Sequence, residues 1–415
     1  MSRFTFAHVA DLHLDTPFSG LAALNDALAQ QLQDASLLAW DRVVDGCLAE
    51  QVTFVVIAGD VYDSDTASVR AQLRFKRGLE RLSDAGIPSF IVHGNHDPNG
   101  GRWSAVDRWP DGVTVFGTQE VTHVPVVVGG QTVATVSGLS FPERHVQDNL
   151  ARRFIRQDLP GYHVAVLHCN VDSDASHGVY APCTLQDLRD SRYDYWALGH
   201  IHARRILHEH APLVVYPGNT QARHPNETGP KGFALVDVED GQAGVRWVEA
   251  DSWRFERLDF SCAELASLAA LEEQLLLSAG ALGLDRPVVM RARLTGMTPL
   301  HTDLLRPGTV GSLLQALRDQ SPPDVWWDDL EIATRPLFNR DARVQGEDFT
   351  ADVLRMIDAS DAQGMVEELL GEIERHPALI RARPVLDLDS LLAAAPELLA
   401  EAERLAIERL EGGAW

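Results

Sequence analysis

Five short runs in the first 200 residues are apolar at almost every position: FTFAHVA (4–10), TFVVIAGD (53–60), SFIVHGN (89–95), YHVAVLHC (162–169) and YWALGH (195–200). A strand that is apolar on both faces is buried on both faces, so these runs predict sheets covered on either side. Between them, residues 36–50 and 66–84 place apolar side chains at helical spacing. PVVVGGQTVATVSGL (125–139) is two β-rich runs around a Gly-Gly turn and predicts a hairpin. RRILHEHAPLVVYPGN (204–219) and GFALVDVEDGQAGVRWVEA (232–250) predict further paired strands. The pattern implies an α/β sandwich with mixed sheets, and residues 1–250 form its domain.

The pattern changes after about residue 250. A helix is predicted over 263–281, a strand at RPVVMRARLTG (286–296), a helix over 308–319 and a strand at VWWDDLEIA (325–333), together a small α+β unit spanning 251–345. From 346 to 415 the chain is rich in Leu, Ala and Glu with apolar residues at i, i+3 and i+4, which predicts two or three helices broken near RARPVLD (381–387). There is no internal repeat and no low-complexity tract.

Composition narrows the class. Of 415 residues, 45% are hydrophobic and 23% charged, close to globular averages. No cationic, apolar leader opens the chain and no run of about 18 apolar residues occurs, so the expectation is a soluble, cytoplasmic protein without a membrane segment. The four cysteines are widely spaced without a CxxC, as expected of reduced thiols. The net charge of −24 runs against autonomous nucleic-acid binding, which normally needs a basic patch. An anionic substrate must then be drawn in by bound metal, by local Arg clusters or by a partner subunit.

Histidine is placed asymmetrically: 14 of 16 fall at or before His224. Each apolar strand of the first domain ends in side chains able to ligate a metal. These are Asp11 and His13, then Asp60, then Asn95, His96 and Asp97, then His168, and finally His200 and His202. Ligands at the carboxyl ends of neighbouring strands converge on one crevice in α/β folds. D-x-H and H-x-H spacings put two side chains on one side of extended backbone. Imidazole, carboxylate and one amide without thiolate suit Mn²⁺, Fe²⁺ or Zn²⁺. Seven of these nine side chains already exceed the needs of one catalytic ion and fit two ions roughly 3.5–4 Å apart. Each piece alone has an ordinary explanation, since a lone D-x-H is weak and Gly-Asp after a strand is commonly a turn. The ordered set of five is what makes the ordinary explanation improbable.

That ordered set, D-x-H, G-D, G-N-H-D, a lone H and G-H-x-H, resembles the calcineurin-like metallophosphoesterase family. FAHVADLHLDTPFSGL (6–21) and DYWALGHIHARR with YPGNTQARHPNETGPKGF (194–205, 216–233) are similar to its bacterial DNA repair exonuclease branch, the SbcD and YhaO type. RPVVMRARLTGMTPLHTDLL (286–305) is similar to that branch's capping domain. The resemblance implies a four-layer α/β/β/α sandwich, a small α+β capping domain and a helical tail. It implies that Asp11, His13, Asp60 and His202 hold one ion, and that Asp60 bridges to a second held by Asn95, His168 and His200. Both ions would be Mn²⁺. His96 would then protonate the leaving oxygen, oriented by Asp97. Asp63 stands where some nucleases of the branch carry a His that contacts DNA.

Other residues carry weaker signals. Arg223, His224 and Lys231 follow the Pro-Gly-Asn turn and are candidates to touch substrate phosphate, weighed against surface ion pairs. His8 and His93 lie within strands and read as packed or supporting residues. Cys169 is expected to point away from the site, and His177 and Cys183 lie in a long loop that would rim it. Trp326 and Trp327 read as core.

Taken with the resemblance, the leading function is a Mn²⁺-dependent DNA exo- or endonuclease subunit in repair or end processing. It would act on duplex ends with an SMC-like coiled-coil ATPase of the SbcC or YhaN type docked on the helical tail. The family also implies a homodimer through helices of the first domain. The alternative is a metallophosphoesterase acting on nucleotides or other small phosphodiesters and monoesters. A degenerate scaffold has no support, because no motif position is lost.

Overall fold

A computed structural model describes residues 3–16, 26–63, 68–98, 105–174, 178–282, 285–337, 340–375 and 392–411. The expected Asn99–Gly100 turn, His177 and the RARPVLD break lie outside them.

The apolar runs are strands of two six-stranded sheets. The first sheet has the order β12-β11-β1-β2-β3-β4. Its members are β1 (Arg3–Val9), β2 (Phe54–Ala58), β3 (Ser89–Val92), β4 (Val113–Val115), β11 (Gly232–Glu239) and β12 (Gln242–Glu249). The second has the order β5-β6-β7-β8-β10-β9. It comprises β5 (Thr122–Val128), β6 (Gln131–Gly138), β7 (Tyr162–His168), β8 (Tyr195–Gly199), β9 (Arg205–His208) and β10 (Leu213–Tyr216). β1, β2, β3 and β4 are parallel neighbours, as are β6, β7 and β8. The three expected hairpins are present as β5–β6, β9–β10 and β11–β12.

The two sheets pack face to face. Phe4, Phe6, Phe54, Val56 and Phe90 of the first meet Val164, Val166, Tyr195, Ala197 and Val215 of the second. Helices α1 (Asp26–Ala49) and α2 (Val69–Asp84) cover the outer face of the first sheet through Trp40, Val43, Val44, Phe75 and Leu79. A 3-10 turn (Leu150–Arg153) and α3 (Leu185–Asp190) cover the outer face of the second through Leu150, Phe154 and Leu188. The result is the four-layer α/β/β/α order, and it explains the continuous apolar pattern. Every residue of β2, β7 and β8 is buried because each of these strands is covered on both faces. β12, at the edge, alternates instead.

α1 begins at Asp26, well before the helix expected from residue 36. Its first part does not join the main core. Leu28, Leu32 and Ala35 pack instead with Ala222, Trp253, Phe255 and Val289, partners far away in sequence. That cluster stabilises a stretch whose own periodicity is weak.

A three-stranded sheet has the order β13-β14-β15 (Arg254–Ser261, Val288–Thr298, Val325–Pro336), with helices at Leu268–Ala281 and Thr309–Gln320. The chain divides into two compact units: residues 1–258 with 279–291 and 320–329, and residues 259–278 with 292–319 and 330–415. In the second unit, helices Phe349–Asp358, Ala362–Arg375 and Ala395–Glu411 pack together. Arg340 ties them by pairing with Asp358 at 2.5 Å and Glu403 at 2.6 Å. Among the described residues no helix is long and apolar enough to cross a membrane.

The inter-sheet core is tightest at Phe6, which is fully buried, stacks on Phe54 at 4.8 Å and meets Tyr195 edge-on at 5.1 Å. Phe6→Ala is expected to lower unfolding free energy by about 3–5 kcal/mol in urea denaturation. Val128→Ala at an exposed edge position is expected to stay within about 0.5 kcal/mol.

Candidate metal centre

Loops leaving the carboxyl ends of β1, β2 and β3 meet those leaving β7 and β8. Each set springs from adjacent parallel strands, so the side chains that end them are brought side by side. The backbone there is not extended. Asp11, His13, Asp60 and His200 all have positive φ, at 52°, 41°, 52° and 107°. Non-glycine residues rarely adopt such values, and they cluster where function over-determines the structure. Asp11 and His13 are thus brought side by side by turns of positive φ and not by the extended backbone expected of D-x-H. The β1 loop is held instead by running alongside the β2 loop. Asp11 N–H donates to Gly59 O, His13 N–H to Asp60 O and Leu14 N–H to Val61 O, at 3.1, 3.0 and 2.9 Å.

Three overlapping groups of ligating atoms result among the described residues, Asp11–His13–His202, Asp11–Asp60–His168 and, through the other nitrogen of His13, His13–Asp63–His96. Asp60 Oδ2 lies 3.8 Å from His13 Nε2 and 3.3 Å from His168 Nε2, between the two. Asn95 Oδ1 lies 2.9 Å from the same His168 nitrogen. Gly94 makes this approach possible, since a Cβ there would stand 2.2 Å from Asp60 Oδ1. His200 stands beside these groups. Its ring meets His168 edge-on at 5.2 Å, its Nε2 donates to Gly178 O at 2.7 Å, and its N–H donates to Asp11.

The outer ring nitrogens fix the tautomers. His13 Nδ1 is 3.1 Å from Asp63 and His202 Nδ1 is 2.7 Å from Glu227. An ionised carboxylate only accepts, so each Nδ1 carries the proton. His168 Nδ1 likewise donates to Ala58 O at 2.9 Å. Each Nε2 then faces inward. His13 Nε2 and His202 Nε2 are 3.2 Å apart, and His168 Nε2 faces the oxygens of Asp60 and Asn95. Nitrogens facing each other, or facing carboxylate oxygens, call for a positive charge between them, a proton or a cation. Burial sharpens this: Asp11, His13, Asp60, Asn95 and His168 are all buried. Burial pushes the Asp11 carboxyl up to about 6 and pulls His13 down to about 4. Burial also pulls His168 down, but the charges of Asp60 and Asp11 outweigh it and raise that imidazole to about 9. The donor set and its pinned outer nitrogens fit divalent cations, the arrangement by which metal-binding histidines are usually oriented.

His96 differs from the other imidazoles. Its side chain is 30% exposed, against 1% for His13 and 0% for His168, so it can meet a substrate. Its orientation corrects the sequence expectation. Asp97 does not hold the His96 ring, because its carboxylate is taken up by backbone. It accepts from Gly94 N–H, Asp60 N–H and Val61 N–H at 2.8, 3.2 and 2.8 Å, stapling the β3 loop to the β2 loop, and lies 3.5 Å from His93. The partner of His96 Nδ1 is Asp63, at 2.5 Å. Asp63 also accepts from Thr16 Oγ1 at 2.9 Å and from Arg223 at 2.5 Å, besides His13. Burial pushes its carboxyl up, but the bonds from His13 and His96 outweigh it and hold it well below the usual range. Burial lowers the His96 imidazole, and the Asp63 bond with the Asp60 charge more than reverses this.

Glu227 was not singled out in the sequence. It orients His202 and accepts from Asn219 at 2.8 Å and Arg223 N–H at 2.7 Å. No local pattern marks it. His224 is exposed, and its ring accepts from the N–H of Asn226 at 3.1 Å. His8 is buried between the sheets against Tyr195 and Leu198 O, a packing role. Cys169 and Cys183 lie 3.8 Å apart in the core behind β7, away from the ligating atoms. Trp327 is fully buried, bonded to Ser321.

A four-layer sandwich with paired carboxylate–imidazole groups at its strand ends defines a metallophosphoesterase. Comparison with known proteins agrees. The calcineurin-like phosphoesterase profile matches residues 4–204, and that of the metallophosphoesterase YhaO middle domain matches 255–335. The chain is 33% identical over 385 residues to the uncharacterized metallophosphoesterase YhaO of Bacillus subtilis, covering 92% of both chains. It is 26% identical over 268 residues to the DNA double-strand break repair protein Mre11 of Thermoplasma acidophilum, 60% of this chain and 65% of the relative. It is 27% identical over 278 residues to one of the subunits of the SbcCD nuclease of B. subtilis, 58% of this chain and 68% of the relative. The chain belongs to the calcineurin-like phosphoesterase family.

Loss of an outer-nitrogen partner should loosen the metal without unfolding the chain. Glu227→Gln is expected to weaken Mn²⁺ binding by about 10–100-fold in equilibrium dialysis.

Proposed function

We propose that this protein is a two-metal DNA phosphodiesterase, an exo- or endonuclease subunit acting on duplex ends in repair or end processing. The observation that carries the hydrolytic reading is one partly exposed imidazole, His96, set beside two buried groups of inward-facing ligands bridged by Asp60. Asp11, His13, Asp60 and His202 would hold one divalent ion, and Asp60, Asn95, His168 and His200 the other, with Mn²⁺ the expected metal. When bound, the pair supplies Lewis acidity toward the phosphoryl oxygens and an activated water.

The rest of the work falls to side chains. Asp63 fixes His96 through Nδ1, so that Nε2 can deliver a proton to the leaving oxygen. Asp63 also fixes His13, which couples the acid to the ligand set through one carboxylate. Asp97 holds the β2 and β3 loops in register, so that Asp60 and Asn95 keep their spacing. Arg223, tied to Asp63, and the exposed His224 stand on the approach to this site as phosphate contacts.

The DNA substrate is supported by the named relatives, Mre11 and the SbcCD nuclease, and by a chain that continues well past the phosphoesterase domain. A net charge of −24 fits a subunit whose basic DNA surface is supplied by a partner, an SMC-like coiled-coil ATPase of the SbcC or YhaN type, docked on the helices after residue 346. A homodimer through helices of the first domain completes the reading. The alternative, hydrolysis of nucleotides or other small phosphoesters, is favoured only by the acidic balance.

The test is incubation with Mn²⁺ and linear duplex DNA, in parallel with bis-p-nitrophenyl phosphate and cyclic AMP. DNA cleavage is expected, absent in Asp60→Ala and slowed by about 10²–10⁴-fold in His96→Ala. The His96→Ala loss should be smaller on the nitrophenyl ester, whose leaving group needs no proton. Activity confined to the small esters would sink the nuclease reading.

A further inference from the structure

We propose that a cavity of about 330 Å³ beside the metal centre, walled by His202, Arg204, Gly218, Asn219, Thr228 and Lys231, is an anion subsite for the substrate phosphate that flanks the scissile one. The inference deepens the phosphodiesterase reading and rests on it for the metal-centre phosphate.

Lys231 is the observation that points to a ligand. The chain has only two lysines, and this one is 8% exposed. Lysine is almost never so buried without a partner, because desolvating an ammonium is costly. Yet its side chain makes no hydrogen bond or ion pair among the described residues. Arg204, on the same wall, has no carboxylate contact either: it donates to Pro230 O and lies 5.7 Å over the Trp247 ring. The nearby acids are committed elsewhere. Glu227 serves His202, Asn219 and Arg223, while Asp251 and Glu249 pair with Arg254 and Arg286.

The cavity is built into the same backbone as the metal site. Gly218 has φ +77°, and a Cβ there would stand 2.8 Å from His202 O. Asn219 N–H donates to that same oxygen at 3.3 Å. His202 thus offers its ring to the ligand set while its residue walls the cavity, so occupants of the two places are neighbours. A simple ester has one phosphate and fills the metal centre alone. A polynucleotide carries a second phosphate to the next position along the chain, where the buried Lys231 and the half-buried Arg204 stand.

The test uses the full Mn²⁺-loaded chain hydrolysing bis-p-nitrophenyl phosphate, inhibited by a phosphorothioate oligothymidylate. Lys231→Met should raise the inhibition constant about ten-fold more than it alters kcat/KM for the ester, the scale of one charge-assisted contact. Lys231→Arg should restore most of the inhibition, and melting temperatures show whether each variant is folded. An oligothymidylate with every linkage but one replaced by methylphosphonate should inhibit wild type and Lys231→Met alike. Inorganic phosphate separates the sources: if it relieves the Lys231 dependence at concentrations that leave ester hydrolysis intact, the cavity binds free phosphate and the flanking-phosphate assignment fails. An unchanged inhibition constant in Lys231→Met, or an equal loss on ester and oligonucleotide, overturns the subsite. Cleavage of DNA is scored separately on gels. Lys231-dependent binding without cleavage keeps the subsite and removes the nuclease reading, whereas cleavage indifferent to Lys231 does the reverse.

Discussion

The constraint on which this molecule turns is electrostatic. Two imidazoles, two carboxylates and an amide are buried together, with Asp60 Oδ2 lying between His13 and His168 and the partly exposed His202 at their edge. Such a cluster is costly to bury without compensating charge. The outer nitrogens of His13, His202 and His168 give their protons to Asp63, Glu227 and Ala58 O, and the charges of Asp60 and Asp11 favour a second proton on His168. Positive charge among the inward atoms, a proton on His168 or a divalent cation, supplies the remaining balance.

The surrounding architecture serves that geometry. Two sheets packed through an aromatic-rich interior bring five strand ends to one edge of the sandwich, and positive-φ residues at those ends turn the ligands inward. The strain of such residues persists because the β1 and β2 loops are bonded to each other and Asp97 staples the β3 loop to both sides of Asp60. Asp63 then links the ligand His13 to the accessible His96. One carboxylate thereby sets the tautomer of a proposed ligand and of the proposed acid, so the two cannot drift independently.

Charge distribution links the site to its surroundings. The chain is strongly acidic overall, yet Arg223, Arg204 and Lys231 gather along the segments that follow β8 and β10. A small number of partly buried cations acts at short range, where screening by salt is weakest. Long-range attraction of a polyanion is a separate task, and an acidic surface is poorly suited to it.

The sequence by itself determined the strands, the order in which they end in ligating side chains and the family those endings mark. Strands buried on both faces write a continuous apolar run, and turns after them expose His, Asp and Asn at fixed places, so local pattern sufficed. It also located His96, because that residue is contiguous with Asn95. What only the tertiary structure decided was which side chain holds which. Asp97 is adjacent to His96 in the chain, but its carboxylate reaches three backbone N–H groups, while Asp63, far earlier in the chain, takes the ring. Glu227 lies 25 residues beyond His202 with no periodic relation to it. The early start of α1 likewise depends on Trp253, Phe255 and Val289. Adjacency in sequence fixes which residues are near the end of a strand. The direction of a side chain, and the partner that satisfies it, depend on loops from other strands, and those meet only once the two sheets have packed.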